Sequence, residues 1–147
     1  MNTSFEEELD RKGSIAFTNV GVSMKPLLKE GRDVMLIRKI SGNDAKKYDA
    51  VLFRRPGITG RGEYVLHRIL KRRRDGLFWI VGDNCTAGEI VPPENILGVL
   101  ETVKRKNKEI SFHSFGYRLY VFFWCVLYPV RFAGLKVWRF FRRLLRV

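Results

Sequence analysis

Apolar positions from Ser14 to Lys104 recur in short runs of period two, separated by Gly, Pro, Asn and Asp, and that pattern predicts strands. Ser14 to Val22 reads as a first extended segment, Pro26 to Gly31 as a turn or single helical turn, and Asp33 to Lys39 as a compact strand. Ser41 to Asp44 breaks the chain and Asp49 to Arg54 resumes it as a strand. Pro56 to Gly62, with three glycines and a proline, has the composition of an exposed hairpin connection. A long two-stranded ribbon follows: Glu63 to Arg72, a turn over Arg72 to Gly76 signalled by Asp75-Gly76, and a return over Leu77 to Val81. In the first arm Tyr64, Leu66, Arg68 and Leu70 alternate with Val65, His67, Ile69 and Lys71, so both faces carry apolar residues and the strand is expected to be largely buried. Gly82-Asp83-Asn84 ends the ribbon, Glu94 to Ile96 makes a short turn after Pro92 and Pro93, and Leu97 to Lys104 is the last strand expected. Residues 1 to 12 read as a polar lead-in and Lys104 to Glu109 as a basic polar link.

From Gly116 onward the pattern changes to helical. Leu119 to Val130 is apolar between Arg118 and Arg131, short of the roughly 20 residues of a comfortable membrane span. Beyond Pro129, Arg131, Lys136, Arg139, Arg142, Arg143 and Arg146 recur mostly at spacings of three to five, with Leu135, Trp138, Phe141, Leu144 and Leu145 between them. That is the pattern of a basic amphipathic helix of the interfacial kind. The expected organisation is a mainly β domain over residues 1–109 and a membrane-associating helical region over 110–147.

Length and charge narrow the classes. A chain of 147 residues suits one modest core. Its 28 Lys and Arg against 15 acids give a net charge of +13, which draws it toward anionic partners, and the interleaving of cations with large apolar residues near the C-terminus favours lipid over nucleic acid. Two cysteines, Cys85 and Cys125, do not make a disulfide framework, and no Cys/His cluster has metal-ligand spacing, so neither metal nor cofactor is expected. The acidic start, Met1 to Arg11, lacks the basic and apolar regions of a secretory signal.

One stretch looks selected for chemistry. In Gly21-Val-Ser-Met-Lys-Pro26, Ser23 follows a glycine and precedes an X-Pro turn, where the backbone is open to close approach by a substrate. A serine hydroxyl needs a base to act as a nucleophile. His67, in a strand between Leu66 and Ile69, is the candidate base, and Asp83 the candidate that accepts the other ring N–H. His113 reads as a surface residue, and Arg68 to Arg74 as a solvated ribbon tip.

These boxes, in order, carry a resemblance. Gly21 to Pro26, Gly31-Arg-Asp33, Tyr48-Asp-Ala-Val-Leu-Phe53, Tyr64-Val-Leu-His-Arg-Ile69, Gly82-Asp-Asn84 and Ile96-Leu-Gly98 resemble the signal peptidase I superfamily, which includes the self-cleaving LexA-type domains. The resemblance spans residues 20 to 103, with the histidine at position 67 similar to the serine-histidine type. It implies a partly open β-barrel in which Ser23 attacks the scissile carbonyl, His67 is general base and then acid, and Asp83 orients His67. The oxyanion would be met by the backbone N–H of Ser23 and a neighbouring donor, Met24 being the candidate. An extended peptide with small side chains near the cut would add as a strand. The histidine-type enzymes usually carry a second aspartate six residues after the first; here that place holds Glu89, a possible second acid. The N-terminal anchor usual in the family is replaced by the C-terminal apolar stretch. The expectation is therefore a membrane-associated serine endopeptidase that removes a signal, leader or pro-segment. Its site would lie at the cell membrane, on the extracytoplasmic side if the apolar stretch spans. The alternative is a LexA-like regulatory or non-catalytic binding domain, which the histidine and the lack of a DNA-binding segment before residue 20 disfavour; no specific nucleic acid is expected as partner.

Overall fold

The computed structural model describes residues 4–18, 21–55, 63–112 and 114–146. The chain divides into two units, residues 1–112 and 113–147. The division falls after a strand that crosses the boundary expected at 109/110.

The first unit begins with helix α1, Phe5–Lys12, where a polar lead-in was expected. Ser4 caps it in a reciprocal box with Glu7, and Gly13 closes it at φ 75°, a backbone conformation that glycine adopts without strain. Eight strands follow: β1 Ser14–Thr18, β2 Asp33–Lys39, β3 Ala50–Arg55, β4 Glu63–Arg72, β5 Phe78–Val81, β6 Gly88–Val91, β7 Ile96–Arg105 and β8 Lys108–Ile110. They form one antiparallel sheet in the order β1-β2-β7-β3-β4-β5-β6, with β8 on β7. The sheet curls into a half-barrel, so the unit is mainly β.

The differences from the sequence pattern are short elements. β6 has four residues and one buried side chain, and β8 has three and none, too little hydrophobic alternation to register as strands. The supposed link is instead a hairpin, Arg105 opposite Lys108, turned at Lys106 with φ 55°. The connection over residues 56–62 and His113 lie outside the described residues.

The core sits where β3, β4 and β5 share a face. Val51, Phe53, Ile69, Phe78 and Ile80 are fully buried there, with Val91 of β6 and Ile96 of β7. Burial of each such side chain stabilises by about 1.5–3 kcal/mol.

The second unit is two helices, α2 Phe115–Val126 and α3 Tyr128–Leu144, bent by 69° at the junction. The break has a local cause. Pro129 has no N–H to give the Cys125 carbonyl, while the Leu127 N–H bonds the Phe123 carbonyl at 3.0 Å and also reaches that of Cys125. No single helix among the described residues is long and apolar enough to cross a membrane; the bent pair passes on length and composition alone.

Candidate active site

Ser23 lies in the loop between β1 and β2, and three sets of contacts fix that loop. Met24, Leu27 and Leu28 are buried. On the β2 side Asp33, fully buried, accepts from the Lys29 N–H and from Arg32 and Arg105, and Arg105 also donates to the Leu27 carbonyl at 2.7 Å. Burial works against the Asp33 charge, but those bonds outweigh it and hold the carboxyl well below its usual range. On the other side Asn84 donates its backbone N–H to the Ser23 carbonyl at 2.7 Å and its side-chain amide to the Val22 carbonyl at 3.1 Å. The Gly82-Asp83-Asn84 turn therefore holds the serine segment.

His67 stands on β4 opposite Val51, buried, with its ring edge-on to Phe53 at 6.0 Å. Burial, and then the positive charge of Arg55, push its pKa down to about 4, against an opposing pull from Asp83. The ring is thus a neutral imidazole at neutral pH, the form a general base requires. Its Cδ2, the carbon bonded to Nε2, and the Ser23 carbonyl both lie against the Cα of Gly82: a Cβ there would meet them at 3.0 and 2.8 Å. Glycine at 82 is what lets the histidine ring and the serine segment close on the same turn.

The other ring nitrogen faces a carboxylate. His67 Nδ1 is 3.6 Å from Glu89 Oε1, and Arg55 donates to that same oxygen at 3.1 Å. Arg55 also pairs with Glu63 at 3.0 Å. Asp83 is placed differently from the expectation that it orients His67. Its two oxygens accept from Arg68 Nε at 2.9 Å and Nη2 at 3.0 Å, both residues 1% exposed. Arg68 further donates to the Tyr48 carbonyl at 2.9 Å, so the residue that opens the supposed solvated tip is a buried tie between β4, the Asp83 turn and the start of β3.

Strand register explains the split. Arg68 pairs with Val81 and Ile69 with Ile80, which pairs with Glu89. Glu89 therefore shares a face with Ile69 and His67, whereas Asp83, two residues beyond Val81, continues the face of Arg68.

Ser23, Met24, His67 and Glu89 line one cavity of about 710 Å³. Asp83 is not among its lining residues. Phe17 and Thr18 of β1 and Gly88 of β6 also line it, so the strands at the two ends of the sheet order border the cleft. Phe5, edge-on to Phe17 and stacked on Tyr64 at 5.2 Å from each, adds α1 to the wall. Cys85 also lines the cavity, with its sulfur 4.0 Å from the Ser23 carbonyl. No group of three His, Cys, Asp or Glu able to hold a metal ion occurs among the described residues.

Three contributors escaped the sequence: Arg68, Arg55 and Asn84. For Arg68 a count back from Asp75-Gly76 does not reach the observed register, because a bulge between Ile69 and Lys71 is what sets it opposite Val81. Comparisons with protein-family models, with curated proteins and with solved structures found no match for this chain.

Proposed function

We propose that residues 1–112 are a serine endopeptidase of the signal peptidase type, acting on an extended peptide such as a leader or pro-segment. The observation that carries this reading is the cleft shared by Ser23 and a neutral, buried His67 whose Cδ2–Nε2 edge and the serine segment meet at Gly82. The Ser23 hydroxyl oxygen attacks the scissile carbonyl carbon while its proton passes to His67 Nε2. As the tetrahedral adduct collapses, the C–N bond breaks and that proton goes to the leaving amine. Water repeats the sequence on the acyl-enzyme, giving up its proton through His67 and releasing the new carboxylate and the serine.

The orienting carboxylate in this scheme is Glu89, the group that faces Nδ1, rather than Asp83. Asp83 positions by holding Arg68, and through the same turn Asn84 holds the serine segment. The oxyanion falls to the backbone N–H of Ser23, with Met24 the neighbouring donor. Each such donor is worth about 3–4 kcal/mol in the transition state. The borders of the cleft at β1 and β6 suit a peptide that pairs as a strand.

Purified full-length protein, incubated with leader-type peptides and followed by mass spectrometry, tests the assignment. Ser23→Ala and His67→Ala are each expected to lower turnover by about 10⁴-fold or more, and the double variant by little beyond either. A single variant as active as the parent overturns the reading.

A further inference from the structure

Residues 113–147 contain seven Lys and Arg and no Asp or Glu. On α3 the cations are sorted by the helix itself. At 100° per residue Arg131, Lys136, Arg139, Arg142, Arg143 and Arg146 fall within one arc of about 140°. The opposite side is apolar and in water: Val137, Trp138, Phe140, Phe141 and Leu144 are each more than half exposed, and Leu145 is 85% exposed. A row of large apolar side chains on that scale marks a surface that meets something else.

We propose that this unit binds in the plane of an anionic lipid bilayer, with α3 at headgroup level, its apolar face toward the acyl chains and its cations among the lipid phosphates, without crossing. Two features select that occupant. The apolar face calls for a hydrocarbon boundary, and the cationic face, unrelieved by any acid in the unit, calls for dense negative charge beside it. A nucleic acid would engage the cations and leave the aromatic face in water. A second copy would cover the apolar face but bring two acid-free, sevenfold cationic units together. Crossing is opposed by geometry. α3 carries five cations along its length, with Arg146 just beyond its end, and α2, at 1.5 Å per residue, spans about 18 Å of a hydrocarbon core of about 30 Å before the chain turns by 69°. The rings help to hold the cations at the boundary: Arg131 lies over Trp124 at 4.8 Å, Lys136 over Phe132 at 4.4 Å and Arg142 over Trp138 at 5.0 Å.

Co-sedimentation of the full-length protein with unilamellar vesicles tests this, using phosphatidylcholine alone and phosphatidylcholine mixed with phosphatidylglycerol. The mixed vesicles are expected to retain the protein and the neutral ones to retain much less. Arg142→Gln with Arg143→Gln should weaken binding about fivefold for each cation removed. Phe140→Ser with Phe141→Ser should abolish the binding that survives high salt. Ser23→Ala should bind as the parent does, which separates this result from the peptidase assignment. Acyl chains brominated near the glycerol end should quench Trp138 more than chains brominated near the methyl end. Equal binding to both vesicle types, DNA binding with no vesicle binding, or a dimer in solution that shields Trp138 would overturn the proposal. So would tags at the two termini of the reconstituted protein that a protease reaches from opposite sides of the vesicle.

Discussion

His67 and Arg68 are neighbours on β4, and each faces a carboxylate from beyond the ribbon's second arm, yet the two pairs are built for different work. Arg68 and Asp83 meet through two hydrogen bonds with both side chains out of water. His67 and Glu89 stand 3.6 Å apart at the edge of a cleft, the glutamate 29% exposed and shared with Arg55. A buried, saturated ion pair has no capacity left to move a proton, whereas a neutral imidazole with one nitrogen beside a carboxylate and the other toward an open cleft has that capacity. One face of the strand is fastened and the other is available.

Removing one carboxylate at a time tests that division, and the effects should separate widely. Asp83→Ala leaves the Arg68 charge buried without its main partner and is expected to cost about 3–5 kcal/mol of stability, while replacing both with apolar residues of similar volume should cost far less. Glu89→Ala removes a partly solvated pair, and its stability cost should stay below about 1 kcal/mol. Its effect should fall on turnover instead, by about 10²-fold or more, with KM little changed. Chemical denaturation of both variants, with kinetics of the second, checks the pairing. A destabilised Glu89 variant beside an unaffected Asp83 variant would reverse the roles given to the two faces.

The sequence made the larger parts of this arrangement visible and hid the smaller ones for identifiable reasons. β2 and β4 were legible because alternation over seven and ten residues fixes a period. The ribbon turn was legible from Asp75-Gly76. α1 left its mark in Ser4-Phe-Glu-Glu7, a capping box, but Leu9 is its only buried side chain and no apolar stripe drew attention to it. In the candidate site, Ser23 and His67 stood out because their residue types suit the chemistry. The choice between Asp83 and Glu89, 16 and 22 residues beyond His67, depended on strand register, which stayed hidden because the strand that carries Glu89, β6, was itself unseen. Asn84 was quoted as part of a motif, and its role in clamping Ser23 is a backbone contact that no side-chain pattern announces. The break at Pro129 was readable in principle, since a proline there removes one helical hydrogen bond.

The second prediction follows from His67 being buried in its neutral form. Its pKa lies at about 4 in the folded protein and near 6.5 in the unfolded chain. Between those values the unfolded chain binds more protons, so stability contributed by this residue is complete above pH 6.5 and is lost as pH falls toward 4, by about 3 kcal/mol in all. Asp33, whose pKa is also lowered, acts only below its ordinary value of 3.8, whereas Asp49, whose pKa burial raises, acts above it with the opposite sign and offsets part of the histidine's slope. Replacing His67 with Leu should flatten the stability profile between pH 6.5 and 4. For the parent, kcat/KM should rise with pH through about 4 and level off before neutrality, because the free enzyme's base is already unprotonated there. A rise centred near 6.5 would show that the histidine is not held as described.

The smallest effect expected is also the one that tells the two faces apart most directly. Arg55 lowers the His67 pKa through its charge, and Asp83, across the strand, raises it. Arg55→Gln removes the opposing charge and at the same time leaves Glu89 Oε1 without the donor it shares with the imidazole, so both consequences favour the imidazolium. The acid limb of kcat/KM should therefore move to higher pH, with the plateau little changed, since Arg55 takes no part in the bond-making steps. Asp83→Asn should move the limb the other way, by removing a negative charge that reaches His67 only through space. Titration of the His67 ring by NMR in the two variants reads these shifts without depending on turnover. Shifts of opposite sign are expected if Glu89 and Arg55 form the local environment of the base while Asp83 acts on it from behind. A downward shift in the Arg55 variant would mean that its pairing with Glu89 supports the imidazolium by geometry more than its charge opposes it.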